Sequence, residues 1–131
     1  KWAQGVVSSH PRHNVIVLTH DYLNNNGQVV NSNGGYGANT ATYLEKNLIA
    51  KYPNIKMVLS GHQGLAAARQ FNYAGNRVVA YLGNESSNVA VTRLIDINVR
   101  TGAISSRYWT STVDLGRAPT GTTTHRGFTF K

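Results

Sequence analysis

Two stretches with one pattern, VIVLTH at residues 15–20 and IKMVLSGH at residues 55–62, decide the fold of this chain. Each is a short run that leads into polar residues and a histidine; the first is continuously apolar over residues 15–18, and the second is apolar apart from Lys56. Such runs are typical of strands buried on both faces. Between them, residues 40–52 (TATYLEKNLIAKY) place apolar side chains along one face of a helix, which Pro53 ends. The order strand, helix, strand predicts a βαβ unit with parallel strands and a right-handed crossover.

The pattern of the chain changes after Gly64. Two pairs of strand candidates follow, each pair separated by a short turn that contains glycine: residues 65–73 with 77–82, and residues 93–99 with 103–109. This arrangement predicts two antiparallel hairpins. The expected fold class is therefore α/β, with parallel strands followed by antiparallel hairpins.

The remaining segments set the expected domain organisation. Residues 1–111 form the structured portion of one domain, and residues 112–131, which carry Pro119 and a run of threonines, form an irregular C-terminal tail. Residues 24–39 are rich in Asn and Gly without periodicity and predict a long loop, either a substrate loop or a flexible insertion. Residues 1–9 predict the end of a helix, with Trp2, Ala3, Val6 and Val7 along one apolar stripe, and they lack a signal-peptide core. We therefore expect the chain to begin inside a longer protein.

The amino-acid composition favours some locations and partners for this protein and excludes some kinds of functional site. The 131 residues suffice for one domain, and charged residues make up 14% against a usual level of about 25%, which favours an extracellular, secreted protein. The chain has 13 Lys and Arg against 5 Asp and Glu, a net charge of +8, which favours binding to polyanions. The arginines are scattered along the sequence, however, as they are on an ordinary solvated surface. The absence of cysteine excludes disulfides and thiolate sites, and no apolar run is long enough for a membrane span.

Two histidines stand where the predicted parallel strands end. His20 follows the first apolar run and His62 the second. Because the ligand crevice of an open α/β sheet lies at the carboxyl ends of its strands, both imidazoles are expected in one crevice. Neutral imidazole is a ligand for Zn, Mn and Fe, and Asp21 is placed either to orient a metal-bound imidazole or to serve as a loop residue. Spacing alone leaves open a shared metal site or two hydrogen-bonded structural histidines.

These residues also resemble a known family. VIVLTHDYL, followed after one helix by VLSGH, is similar to the last two motifs of the calcineurin-like metallophosphoesterases, and most of all to secreted bacterial members. His20 matches the histidine of the fourth motif, and Gly61-His62 matches the first half of the fifth, Gly-His-x-His. The helix that carries Trp2 and the run NVAVTRLIDIN with the following GAISSRYW extend the similarity over nearly all of residues 1–110.

The chain departs from the family pattern in two ways. It has no Asp-x-His, no Gly-Asp-x-x-Asp and no Gly-Asn-His motif, and its Gly83-Asn84-Glu85 comes after the fifth motif instead of before it. In addition, Gly64 stands where the family has the second histidine of its fifth motif. The resemblance thus covers the C-terminal half of a layered α/β/β/α sandwich and leaves the second metal site depleted.

The resemblance implies a phosphoric ester hydrolase with a dinuclear centre of Zn, Mn or Fe, in which His20 and His62 bind one metal. The family's general acid lies in the missing third motif, so we expect the isolated chain to be inactive or nearly so. Its expected partners are the N-terminal half of the same domain or another copy of itself, together with a phosphorylated substrate. The alternative is a non-catalytic fragment that self-associates or binds polyanions through its positive charge.

Overall fold

The computed structural model describes residues 1–31, 40–83, 91–110 and 122–131, which build two helical segments and two β-sheets. The helical segments are α1 (Trp2–Ser9) and α2 (Ala41–Leu44), and the second continues as a π-helical turn (Glu45–Ile49). The strands are β1 (Val15–Asp21), β2 (Ile55–Gly61), β3 (Ala66–Tyr73), β4 (Asn76–Gly83), β5 (Val91–Asn98), β6 (Ala103–Thr110) and β7 (Thr123–Arg126). The fold is thus mixed α/β and mostly strand.

The first sheet has the strand order β1-β2-β4-β3. β1 pairs in parallel with β2, with Val17 opposite Val58, and β2 pairs in parallel with β4. β3 and β4 form the antiparallel hairpin that the sequence predicts around Gly75. The parallel β1–β2 pair, linked through a helical crossover, is therefore confirmed, and β1 lies at one edge of this sheet.

Burial explains the apolar runs of the central strands. β2 and β4 are buried along most of their length, whereas side chains of the edge strand β1 alternate between half-buried and exposed. The predicted burial of β1 on both faces is therefore wrong, because β1 lies at the edge of the sheet and its Ile16 and Leu18 are exposed. One face of the sheet packs under the helical segments in a core that includes Val7, Leu48, Ile49 and Val58. A strand covered on both faces has no solvent-facing position, so its sequence reads as continuously apolar.

The second sheet has the order β5-β6-β7, and all its pairings are antiparallel. It carries the second predicted hairpin, in which Gly102 closes the turn with a φ of 62°. The core around it combines Met57, Val79 and Tyr81 of the first sheet with Ile104 of the second and with Phe128, which follows β7. This packing covers the other face of β2 and β4.

Three further expectations, all local, differ from the structure. The helix predicted over 40–52 is α2 and a π-helical turn, in which the Ala50 N–H donates to the Glu45 carbonyl five residues back at 2.9 Å. On the N-terminal helix, Val7 is buried, but Trp2 and Val6, members of the same predicted stripe, are exposed. Within the predicted irregular tail, residues 123–126 form β7.

The predicted loop over residues 24–39 falls partly outside the described residues, since 32–39 are not described. Its first part is ordered by Asn24, whose side-chain oxygen accepts from the N–H groups of Asn26 and Gln28 at 2.9 and 3.0 Å. Among the described helices, none is long and apolar enough to cross a membrane.

Candidate metal centre

His20 lies near the end of β1, on its exposed side. The alternation along Val15–Asp21 places Ile16, Leu18 and His20 on one face of the strand. All three side chains are exposed, because the second sheet covers β2 and β4 and does not extend over this part of β1. His20 therefore presents its imidazole at the rim of the sheet, at the carboxyl end of its strand.

His62 follows β2 directly and has a φ of 66°, in the left-handed region of backbone conformation. It is the one non-glycine residue of the described chain with a positive φ. Such a conformation is uncommon outside glycine, although histidine adopts it more readily than most residues, and it costs on the order of 1 kcal/mol or more. Backbone strain of this kind is concentrated at functional sites, where it fixes the direction of a side chain.

The two imidazoles meet at the edge of the sheet. Their ring centroids lie 4.5 Å apart, and the ring planes are inclined by 41°. Two nitrogens that each lie about 2.0–2.1 Å from one tetrahedral zinc ion are about 3.3 Å from each other, which this ring spacing permits. No group of three or more His, Cys, Asp or Glu suited to a metal occurs within the described ranges. The residues present fit a divalent ion as two of its ligands.

Asp21 connects this pair to the neighbouring loop. Its Oδ2 accepts a hydrogen bond from Gln63 Nε2 at 3.2 Å, so the carboxylate holds the residue that follows His62. Its Oδ1 is buried and accepts no hydrogen bond from the described residues. A buried carboxylate oxygen without a donor is costly, and a cation bound nearby would relieve that cost.

Gly64 has a structural role that its sequence position alone does not reveal. Its φ is 100°, and a Cβ at this position would overlap the side-chain amide of Asn25. Asn25 in turn uses its Oδ1 to accept the Leu65 N–H at 2.8 Å. The loop after His62 is therefore built around glycine at the position where the metallophosphoesterase pattern has a histidine.

A cavity of about 360 Å³ opens beside His20, between the first sheet and β5. Arg93 forms part of its wall, stacks at 4.3 Å over the ring of Tyr108 and also donates to the hydroxyl of that residue. Its guanidinium donates to the Leu82 carbonyl at 2.9 Å and to Ser106 Oγ at 3.0 Å. Sequence reasoning missed Arg93, because nothing in an isolated strand pattern shows that one arginine bridges two sheets.

The fold thus brings together two imidazoles that can each offer a nitrogen to a metal ion, a carboxylate that holds the adjoining loop, and the guanidinium of Arg93 in the wall of the cavity beside His20. Asn84 and Glu85, which form the out-of-order motif with Gly83, lie outside the described residues. No protein-family model, no curated protein and no solved structure matches this chain.

Proposed function

We propose that the chain is the C-terminal part of a calcineurin-like metallophosphoesterase, a metal-dependent enzyme that hydrolyses phosphate esters. The observation that carries the proposal is the 4.5 Å spacing of the His20 and His62 rings at the carboxyl ends of two parallel strands. Spacing in the sequence leaves such histidines open to a structural role. Their exposure and the strained backbone of His62 favour ligation instead.

The arrangement of the sheets supports the same proposal. A mixed sheet with helical segments on one face and a second antiparallel sheet on the other is what half of an α/β/β/α sandwich would contain. In such a sandwich the first sheet would continue beyond β1, which is an edge strand here. Leu18 and Ile16 on that strand are 81% and 49% exposed, as expected of side chains that an adjoining half would cover.

In the proposed mechanism the residues of this chain position a metal and do not transfer protons. A pair of divalent ions, when bound, would lower the pKa of a water molecule and offset the charge of the phosphate oxygens. His20 and His62 would hold one ion, and Asp21 would fix the loop that carries His62. Gly64 supplies no ligand, so the second ion would depend on residues of the other half.

Two imidazoles are too few for tight binding, since zinc sites in proteins normally have three or four protein ligands. We therefore propose that the chain alone is inactive or nearly so and works with the N-terminal half of the domain. Its low content of charged residues is in keeping with a secreted enzyme.

Two measurements test this function. The precursor sequence upstream of Lys1 should carry the Asp-x-His, Gly-Asp-x-x-Asp and Gly-Asn-His motifs in that order. The isolated chain, assayed with p-nitrophenyl phosphate and Zn²⁺ or Mn²⁺, should show no turnover above the metal alone. An upstream sequence without these motifs would contradict the family proposal, and metal-dependent turnover by the isolated chain would contradict the need for a second half.

A second function, a non-catalytic module that self-associates or binds polyanions, is favoured by a different observation. The net charge is +8, and the exposed apolar side chains of β1 adjoin an unpaired strand edge within the described part of the chain. Binding to a polyanion that weakens steeply with salt, together with no metal binding at all, would support this function over the enzyme.

A further inference from the structure

A second cavity, whose lining is mainly polar, lies at the opposite end of the first sheet from the two histidines. Its volume is about 400 Å³, within the usual range of roughly 300–1,000 Å³ for ligand sites. Lys56 lies near the start of β2 and His62 follows its end, so at 3.3 Å per residue the two sites are about 20 Å apart. The residues that line the cavity are Lys56, Asn72, Tyr73, Gly75, Asn76, Arg77, Gly127 and Thr129.

Lys56 is the most unusual member of this set, because it is a lysine that is only 5% exposed. Its Nζ donates to the Pro53 carbonyl at 2.6 Å and to Asn76 Oδ1 at 2.8 Å. An ammonium group has three donors, so these two neutral acceptors leave one N–H for another partner. Burial, followed by the nearby positive charge of Lys131, lowers the pKa of Lys56.

No Asp or Glu is among the described residues that line this cavity. Glu45, in the crossover segment, is not part of the lining; its carboxylate accepts a hydrogen bond from the hydroxyl of Tyr73 at 2.7 Å. Lysine is rarely buried unless it is paired, because removing an ammonium from water is costly without a compensating negative charge. The cavity therefore has a buried positive charge that an anion would compensate.

Arg77 adds a second cation to the wall. Its Nη1 donates to the Arg126 carbonyl at 3.0 Å, which is the one hydrogen bond it makes to the described residues, out of five possible donors. Gly127, with a φ of 84°, lies so close that a Cβ there would overlap the guanidinium. The segment after β7 thus holds Arg77 beside the cavity while leaving most of its N–H groups available.

We propose that this cavity binds a phosphate group, free or as a monoester, between the ammonium of Lys56 and the guanidinium of Arg77. A phosphate dianion matches two cations in charge, and arginine can contact two of its oxygens with parallel hydrogen bonds. The site needs no metal and shares no residue with the histidine pair, so this proposal does not depend on the proposed function.

The test is a titration of the whole chain with orthophosphate, followed by ¹H–¹⁵N NMR, at constant ionic strength with EDTA present. Saturable shifts are expected at the amides of Lys56, Asn76, Arg77 and Gly127. Phenyl phosphate in a parallel titration separates the sources: a response to both ligands assigns the phosphate group itself, and a response to one assigns the free or the esterified form.

Matched variants decide whether the site is specific. Lys56→Met and Arg77→Gln should each weaken binding at least tenfold, whereas Lys51→Met and Arg12→Gln, which remove exposed charges elsewhere, should change it less than twofold. If Lys56→Met does not fold, Arg77→Gln, at an exposed position, still gives the answer. Unsaturable shifts spread over the basic surface, no shifts with either ligand, or equal weakening by the controls would overturn the proposal.

Discussion

The imidazole rings of His20 and His62 lie 4.5 Å apart, and the backbone of His62 has a φ of 66°. Neither residue is a neighbour of the other in sequence. The parallel pairing of β1 with β2 brings the strand ends together, and the left-handed backbone of His62 completes the approach. The candidate site is therefore a consequence of the crossover topology together with one strained residue.

Gly64→His should not create a further metal ligand. We expect the variant to lose about 1–3 kcal/mol of unfolding free energy. The new side chain would overlap the Asn25 amide, and the new histidine would have to adopt a φ of 100°, which residues other than glycine rarely do. Urea denaturation measures the loss.

Gly75→His is the matched control for this substitution, because Gly75 also has a positive φ, of 76°, but a Cβ there would meet no atom within 4 Å. A smaller loss in the control would attribute the difference to the Asn25 contact. An unchanged stability of Gly64→His, with an added equivalent of bound zinc, would show that the loop accepts histidine.

Leu18→Ser should reduce self-association of the isolated chain. Leu18 is 81% exposed on the edge strand β1, where an apolar side chain and unpaired backbone groups favour pairing with a second copy. Sedimentation velocity over a range of concentrations should show a shift towards monomer.

Leu65→Ser serves as the comparison, since Leu65 is also exposed, at 52%, but precedes β3 and lies outside β1. It should leave association unchanged. A wild-type chain that is monomeric at all concentrations would contradict self-association through the edge strand β1.

Stability should fall as the pH is lowered below the ordinary pKa of histidine, near 6.5. Burial lowers the pKa of His125, which packs edge-on against Tyr81 at 6.0 Å. Between the lowered and ordinary values the unfolded chain binds the proton more readily, so the stabilisation is complete above about pH 6.5 and is lost as the pH falls through the folded-state pKa.

Thermal unfolding between pH 5 and pH 8 checks this dependence. His125→Gln should flatten the profile over that interval, while His13→Gln, at an exposed position, should leave it unchanged. A profile that keeps its slope in His125→Gln would assign the dependence to other groups.

Arg93→Lys should destabilise the contact between the two sheets. Arg93 donates hydrogen bonds to Leu82 of the first sheet and Ser106 of the second, and it stacks on Tyr81. Lysine would keep the positive charge but lacks the planar guanidinium that makes these contacts together. A loss of about 1–3 kcal/mol in unfolding free energy is expected, against less than about 0.5 kcal/mol for the exposed Arg100→Lys. Equal effects of the two substitutions would show that Arg93 does not link the sheets.

The sequence predicted those elements whose burial leaves a direct pattern. The mostly apolar runs predicted the strands β1 and β2, and the glycine-containing turns predicted both hairpins. The burial of β1 on both faces was predicted wrongly, because an edge strand can keep apolar side chains on an exposed face. β7 was missed because residues 123–126 (TTHR) have no apolar run. Pairing with β6 and the buried Phe128 that follows define this strand, and both depend on tertiary contacts.

The candidate sites were predictable only in part. Strand-end positions indicate that His20 and His62 converge, but the fit of Gly64 against Asn25 and the burial of Lys56 arise between segments far apart in sequence. The π-helical turn could not be predicted from the apolar stripe of residues 40–52 either. A turn that is wider by one residue keeps most of the same side chains on the buried face.

Zinc titration of the isolated chain by calorimetry, compared with His20→Ala, His62→Ala and the control His13→Ala, tests whether the two histidines form a metal site. We expect about one weakly bound ion per chain, lost in both site variants and retained in the control. Binding that survives either site substitution, or no binding to the wild-type chain at high micromolar zinc, would contradict a metal site at His20 and His62.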